Sequence, residues 1–188
     1  MRQIRIFGAP GTGKKTLVGN LMMSCGLGIS TMEKLQRKGI QRYDQMTEFF
    51  GEENIPLSFE TSSGPWEISD TNNPDVVFYV VDASAVPEAD IIDPRIAGDE
   101  TVGILEGSTR FILIANKMDK LDWSAEHFQL IIDRATSQLQ RDSINIKKFN
   151  SVALSALHGN NIIQKSGDPM WRTLVQTLDL VSIMQDYS

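Results

Sequence analysis

The sequence predicts an α/β fold with a mostly parallel central sheet, helices on both of its faces and one β-hairpin at an edge. Two runs, residues 75–82 and 111–115, are almost continuously apolar and rich in β-branched or aromatic residues. Such runs are typical of strands that are buried on both faces of a parallel sheet. Helix-like segments separate the strands along the chain, which is the pattern of layered α/β proteins. A glycine-rich segment between the first strand and the first helix also favours this class, because ligands bind beyond the carboxyl ends of such strands.

The N-terminal half is expected to begin with a strand at residues 4–7 and a helix from residue 14 to about residue 25. Residues 31–50 have a helical pattern, and Gly39 predicts a break within it. The edge hairpin is expected from two β-rich segments around a Ser-Ser-Gly-Pro turn, residues 57–61 and 66–69.

The C-terminal half is expected to continue the alternation of strands and helices. A short strand is expected at residues 151–154, and a proline-containing loop at residues 85–98. Three further helices are expected over residues 99–105, 124–140 and 171–184. A chain of 188 residues can bury a core of its own, so we expect one domain over residues 1–188.

The composition excludes several classes of function. A net charge of −6 argues against a general nucleic-acid-binding surface, and we expect no direct contact that recognises a nucleic-acid sequence. No run approaches the roughly 20 apolar residues of a membrane span, and the N-terminus has no signal-peptide pattern. The single cysteine, Cys25, excludes an intrachain disulfide and suits a reducing compartment. We therefore expect a cytoplasmic protein without a membrane partner.

Several other residues are expected to have structural roles. His127 and His158 have no metal-site spacing with the single cysteine and are expected at the surface or at helix caps. Trp66 and Trp171 are expected in core or edge packing, and Cys25 is expected as a small buried residue on the first helix. A solvated helix face is expected for four basic residues, Lys34, Arg37, Lys38 and Arg42.

The strongest motif follows the first strand and precedes the first helix, in the segment Gly-Ala-Pro-Gly-Thr-Gly-Lys-Lys-Thr at residues 8–16. Glycine-loop amides and a helix N-terminus together form a binding site for phosphate groups. Lys14 is expected to contact the β- and γ-phosphates of a bound nucleotide. The nucleotide-binding candidates in this loop are Gly8, Gly11, Thr12, Gly13, Lys14, Lys15 and Thr16.

Lys15 departs from the phosphate-loop motif. The motif normally has Ser or Thr at this position, and the hydroxyl of that residue binds the Mg²⁺ that accompanies the nucleotide. A protonated lysine cannot ligate Mg²⁺. The loop therefore predicts that the chain binds a nucleotide and hydrolyses it weakly or not at all. One hypothesis is that the Lys15 ammonium lies near the vacated metal position; the alternative is a solvated lysine at the helix start.

Two further segments follow predicted strands and are expected at the same sheet edge, namely Asn116-Lys117-Met118-Asp119 and Ser155-Ala156-Leu157. The Asp119 carboxylate can accept hydrogen bonds from the guanine N1 and 2-amino groups, whereas adenine offers no such pair of donors. Asn116 can bond the base and brace the loop, and the Lys117 stem can cover the ring. A backbone N–H of residues 155–157 can bind the guanine O6 atom. The predicted ligand is therefore GTP or GDP.

These motifs resemble those of the translational GTPases, in particular the elongation factor 1-alpha, Hbs and release factor 3 branch. The resemblance includes the Ser-Cys-Gly at 24–26 with Thr-Met-Glu-Lys at 31–34, the Asp-Trp-Ser after the second loop, and the Met-Trp at 170–171. The resemblance extends over the whole chain, although it is weaker in the middle. It implies a P-loop NTPase fold of the G-domain type. The β-barrel domains of that family are not represented in the sequence.

The chain departs from the family pattern at the catalytic elements. The Asp-x-x-Gly motif of the family corresponds to residues 70–73, where Asp70 is kept but Asn73 replaces the glycine. Pro74 stands at the position of the water-orienting histidine. The first-switch threonine aligns near residues 51 and 52, which are Gly and Glu, and Thr47 is the nearest candidate. We therefore expect no catalytic residue, and Asp70 is the one candidate metal ligand, through a water molecule; the need for Mg²⁺ is left open.

The resemblance implies a GTPase-like domain that binds GTP or GDP as a structural or regulatory ligand, a pseudo-GTPase. It also implies a protein partner, with the ribosome or an RNA-surveillance factor as candidates. Two alternatives remain open at this point. The chain could be an active GTPase that takes a catalytic group from a partner, or a protein-interaction scaffold that has lost the nucleotide.

Overall fold

Strands and helices alternate along the chain as the sequence predicts. The computed structural model describes residues 1–85, 90–92, 103–105, 110–165 and 171–183. The strands in these ranges are β1 (Arg2–Phe7), β2 (Ser58–Thr61), β3 (Gly64–Ile68), β4 (Val76–Asp82), β5 (Arg110–Asn116) and β6 (Phe149–Ala153). The helices are α1 (Lys14–Ser24), α2 (Ile29–Arg37), α3 (Tyr43–Glu52), α4 (Ala125–Arg141) and α5 (Leu174–Ile183).

The predicted break in the second helical region is confirmed, because α2 and α3 are separate helices on either side of Gly39. Gly39 has a φ of +66°, a left-handed conformation that favours glycine. The expected loop at 85–98 and the expected helix at 99–105 lie mostly outside the described residues. Of that helix, residues 103–105 are described and are helical.

Six strands of the described chain form one sheet in the order β2-β3-β1-β4-β5-β6. Strand β1 lies between β3 and β4, and the pairs from β3 to β6 are all parallel. Strands β2 and β3 are antiparallel, and they form the predicted hairpin at the edge. The predicted fold class is confirmed. The carboxyl ends of β1, β4, β5 and β6 point in one direction, which brings the loops that follow them to one edge.

The sheet has a hydrophobic core on each face. In β4, Val76, Phe78 and Val80 pack on one face, while Val77, Tyr79 and Val81 pack on the other. Helices α1, α3 and α5 cover the first face, and α4 covers the second. This alternation explains why β4 has an almost unbroken apolar sequence, because neither of its faces meets water.

The residues for which structural roles were expected lie mostly in the core or in ion pairs with neighbouring side chains. Trp66 is fully buried and Trp171 nearly so, in opposite cores. Cys25 follows α1 and is half-buried, and burial raises the pKa of its thiol to about 11. The four basic residues expected on a solvated helix face each pair with a nearby acidic side chain, among them Lys34 and Lys38 with Glu53. No helix in the described part of the chain is long and apolar enough to cross a membrane.

Helix α3 approaches α1 very closely at Gly19. A Cβ atom on Gly19 would lie 2.1 Å from the Tyr43 carbonyl oxygen, which is closer than real Cβ atoms come to backbone. Gly19 therefore lets the first turn of α3 rest directly on α1. This contact helps to place α3 beside the N-terminal half of α1, at whose start the glycine loop ends.

We predict that Gly19→Ala lowers the free energy of unfolding by about 1–3 kcal/mol, because the added methyl group forces α3 away from α1. Gly51→Ala is a matched control. Gly51 lies within α3, and a Cβ atom added there would meet no atom within 4 Å, so this change should stabilise the protein by about 0.5–1 kcal/mol. Urea denaturation of both variants measures the effects, and equal stability of the two would contradict the close contact.

Candidate functional site

The glycine loop connects β1 to α1 and has the backbone conformation that its glycines predict. Gly11 and Gly13 have φ values of +82° and +92°, in the left-handed region. A Cβ on Gly13 would lie 2.4 Å from the side-chain nitrogen of Asn116, and a Cβ on Gly8 would lie 2.3 Å from the Val80 carbonyl oxygen. Gly8 and Gly13 thus allow the loop to approach its neighbours closely, and the left-handed glycines turn the chain into the start of α1.

Asn116 joins the three predicted loops through its side chain, which is almost completely buried. Its Nδ2 donates to the Thr12 carbonyl oxygen at 2.8 Å, and its Oδ1 accepts from the Ala156 N–H at 2.9 Å. The same Oδ1 accepts from the Lys117 N–H at 2.8 Å. The predicted convergence of the glycine loop, residues 116–119 and residues 155–157 is therefore what the structure shows.

Lys117 makes a second connection between the loops. Its ammonium donates to the Gly11 carbonyl oxygen at 2.8 Å and forms an ion pair with Asp82, the last residue of β4. Partial burial would raise the pKa of Asp82, but hydrogen bonds from Lys117 and Ser84 lower it below its ordinary value. Asp82 is thus ionised at neutral pH and holds the Lys117 side chain across the site. This aspartate was not among the site residues expected from the sequence. Its position at the carboxyl end of a buried parallel strand could have indicated it, because ligands bind beyond such strand ends.

Asp119 lies in a short 3₁₀ turn, Met118–Leu121, one residue after the end of β5. Its Oδ2 atom is 3.7 Å from the Nε2 atom of His158, a residue expected to lie at the surface or at a cap. The His158 side chain is 56% exposed, so the surface position is correct, but it also lies beside the candidate base-binding carboxylate. His127 lies in the first turn of α4, where its N–H donates to the capping hydroxyl of Ser124.

Two of the three backbone amides in the third loop, residues 155–157, are used within the protein. The amides of Ser155 and Ala156 bond to Asn160 and Asn116, so among the three amides that of Leu157 is available for an added group. The Ser155 hydroxyl is fully buried and has no hydrogen-bond partner in the structure. A buried hydroxyl without a partner is costly, which fits a position that a bound molecule or a rearranged neighbour completes.

The two lysines of the glycine loop point in different directions. The Lys14 ammonium donates to the carbonyl oxygens of Gly8 and Ala9 within its own loop, and partial burial lowers its pKa. The Lys15 ammonium is 2.7 Å from Oε1 of Glu48 in α3, and both side chains are more than 60% exposed. The hydrogen bond and charge of Glu48 raise the pKa of Lys15. Thr16 follows them in the first turn of α1 and is half-buried.

A cavity of about 310 Å³ lies beside the glycine loop. Its polar lining consists of Lys14, Lys15, Thr47, Glu48, Ser69 and Asp70. Thr47 thus faces the loop from α3, as the nearest first-switch candidate, while residues 51 and 52 are not part of this lining. Among the described residues, no group of three or more His, Cys, Asp and Glu side chains is placed to hold a metal ion.

Arg5 fixes the segment that contains Asp70. Its guanidinium donates to the carbonyl oxygens of Asp70 and Thr71, each at 3.0 Å, and to the Asn72 side chain at 2.7 Å. The guanidinium also lies over the Phe7 ring, 5.1 Å from its centroid. The segment is thus held against β1 by one side chain whose role the sequence did not suggest.

The chain is similar in sequence and in fold to several known proteins. No family model matches the chain. Elongation factor 1-alpha of Methanothermobacter thermautotrophicus is 25% identical over 187 residues, covering 89% of this chain and 45% of that protein. The GTPase-like domain of Saccharomyces cerevisiae Ski7, solved with GDP and inorganic phosphate, superposes over all of this chain and half of that one, with a TM-score of 0.72 and 18% identity. Sup35 solved with GDP gives a TM-score of 0.66 and 21% identity over 95% of this chain and 44% of that one.

The chain has the fold of a translational GTPase G domain. The resemblance predicted from the three loops is confirmed by these similarities. The chain spans less than half the length of the elongation factor 1-alpha relative, so the G-domain fold is the part of such proteins to which the likeness extends.

We predict that Asn116→Ala lowers the free energy of unfolding by about 1–3 kcal/mol, because it leaves the Thr12 carbonyl and the Ala156 N–H unpaired in a buried region. The control is Asn73→Ala at an exposed position in a neighbouring loop, which should change the free energy by less than about 0.5 kcal/mol. Thermal or urea unfolding measures both variants. Wild-type stability of Asn116→Ala would show that the loops do not depend on this side chain.

Proposed function

We propose that this domain binds GTP or GDP as a structural or regulatory ligand and hydrolyses GTP slowly or not at all. The observation that carries this proposal is the joining of the three loops by Asn116. That contact supports a site in which one molecule touches the glycine loop, the loop at 116–119 and the loop at 155–157 together. The nucleotides present in the solved structures of Ski7 and Sup35 also favour a guanine nucleotide.

The residues present fit a nucleotide. The loop amides at Gly11 and Gly13 and the N-terminus of α1 would bind phosphates, and a Cβ on Gly11 would meet no atom within 4 Å. Lys14 already lies over the loop, where its ammonium can exchange a loop carbonyl for a phosphate oxygen. The full set of proposed nucleotide-binding residues is Gly8, Gly11, Thr12, Gly13, Lys14, Lys15, Thr16, Asn116, Lys117, Asp119, Ser155, Ala156 and Leu157.

The proposed weakness in hydrolysis rests on three positions. Lys15 supplies no hydroxyl for Mg²⁺, Asn73 replaces the glycine of the family motif, and Pro74 has no group that can orient water. Since stabilisation of phosphoryl charge is a main term in this chemistry, loss of the metal contact should be severe. Asp70 and Glu48 line the cavity next to Lys14, and Asp70 remains the candidate to hold Mg²⁺ through water.

The wider role of the domain is part of the proposal. A nucleotide that is bound but not turned over acts through the conformation it stabilises, so we propose a protein partner, with the ribosome or an RNA-surveillance factor as candidates. A cytoplasmic location and the organisation of residues 1–188 as one domain belong to the same proposal. Nucleotide binding itself depends on neither the partner nor the location.

Calorimetric titration with GTP, GDP and ATP, with EDTA and with Mg²⁺, tests the proposal. We expect GTP and GDP to bind and ATP to bind at least about tenfold more weakly, because adenine cannot pair with the Asp119 carboxylate. Asp119→Asn should weaken GDP binding by roughly 5- to 150-fold and allow binding of XDP, whose ring offers one donor and one acceptor to the amide.

The control is Asp122→Asn, which makes the same change at an exposed aspartate in the same segment and should leave the affinities unchanged. Binding of no guanine nucleotide, together with none released when the purified protein is denatured, would reject the proposal in favour of a nucleotide-free scaffold. Binding followed by steady phosphate release in Mg²⁺ would instead favour an active GTPase.

We predict that Lys15→Ser makes the affinity for GTP depend on Mg²⁺. The wild-type affinity should change by less than about twofold between EDTA and Mg²⁺, whereas the variant should gain about tenfold or more in Mg²⁺, because the serine hydroxyl restores a metal ligand. Lys38→Ser, at a lysine that pairs with Glu53 away from the cavity, is the control. Indifference of Lys15→Ser to Mg²⁺ would show that the Lys15 ammonium does not take the place of the metal ion.

A further inference from the structure

Helix α3 packs against α1 at many positions, and two of these contacts bear on the phosphate-binding loop. The first contact is the close approach of the Tyr43 carbonyl to Gly19. The second is the ion pair of Lys15 with Glu48, about one turn nearer the start of α1 and one turn further along α3. The two helices therefore run in opposite directions along each other. This arrangement directs the later turns of α3 toward the cavity that Lys14 and Asp70 also line.

Glu48 is the acidic group that holds Lys15 in this structure. The pair is short, at 2.7 Å, while Asp44 contributes a weaker attraction and is itself paired with Arg42. The hydrogen bond and charge of Glu48 raise the pKa of Lys15 above its ordinary value, which is itself well above neutral pH, so the ammonium is charged. Both members of the pair are well exposed, so the interaction is weak enough for a competing anion to replace it.

We propose that Glu48 couples α3 to the phosphate end of a bound nucleotide by competing with the γ-phosphate for Lys15. This inference rests on the proposed nucleotide binding at the same site and adds a residue that none of the three loops contains. A triphosphate that recruits the Lys15 ammonium releases Glu48 and removes this ion pair between α1 and α3, while the apolar packing of the two helices remains. A diphosphate, which ends one phosphate earlier, leaves the pair in place.

The charges around the cavity explain why a triphosphate, rather than a diphosphate, would compete for Lys15. Two ammonium groups, Lys14 and Lys15, and two carboxylates, Glu48 and Asp70, line the cavity, so its charge is balanced before any phosphate enters. A γ-phosphate adds negative charge at the end of the nucleotide, and without a metal ion a freed Lys15 would add its positive charge there to that of Lys14. Meanwhile Arg5 holds residues 70–72 against β1. Helix α3 is therefore better placed than residues 70–72 to respond to a γ-phosphate.

The test compares GTP and GDP affinities by calorimetry in EDTA for wild type, Glu48→Gln and the matched control Glu52→Gln. Glu52 lies in the same helix, is exposed and pairs only loosely with Lys38, so Glu52→Gln makes the same change in net charge away from Lys15. We expect Glu48→Gln to strengthen GTP binding by roughly two- to fivefold, the range of a competing exposed ion pair, and GDP binding by much less. Glu52→Gln should alter neither affinity.

A Lys15→Met background separates competition for Lys15 from a general effect of charge. There, Glu48→Gln should no longer strengthen GTP binding, because no ammonium remains to be released. Equal strengthening of GTP and GDP by Glu48→Gln, or a GTP effect that persists in Lys15→Met, would overturn the inference while nucleotide binding itself stood. Failure of every variant and of wild type to bind guanine nucleotides would instead reject the proposed function together with this coupling.

Discussion

The candidate site depends on the hydrogen bonds of one buried side chain, Asn116. Its amide group satisfies a carbonyl in the glycine loop and an N–H in the third loop, so that three segments far apart in sequence are held at one sheet edge. Gly13 is part of the same constraint, because any side chain there would strike the Asn116 amide. The parallel sheet brings the loops to a common edge, and Asn116 fixes the distances between them.

Charge is arranged around these loops in two ion pairs with different surroundings. Lys117 and Asp82 form a partly buried ion pair, and Lys117 also donates to the glycine loop. This pair therefore helps to hold the loops in place. Lys15 and Glu48 form an exposed pair at the rim, where a phosphate could displace the carboxylate. Lys15 stands where the phosphate-loop motif has a hydroxyl residue, and in this structure it brings a carboxylate of α3 into contact with the glycine loop.

Most of the fold could be predicted from the sequence, because its signals are local. The apolar run of β4 predicts a doubly buried strand, and the glycine loop predicts the strand and helix on either side of it. The convergence of the loops followed from the rule that parallel strands end at one edge. Asp82, Glu48 and Arg5 were not expected as partners at the site, because their contacts depend on side-chain directions across strands and helices. His158 was correctly expected at the surface, but its position beside Asp119 depends on how the third loop turns and could not be anticipated.

The most direct test of a guanine-nucleotide site at the joined loops is a titration of ¹⁵N-labelled protein with GTP in EDTA, followed by amide chemical shifts. We predict that the largest shifts fall within residues 8–16, 116–119 and 155–158, with a further change in α3 around Glu48. Large shifts at a different surface, or none at millimolar GTP, would contradict this prediction, because they would mean that the joined loops do not form the nucleotide site.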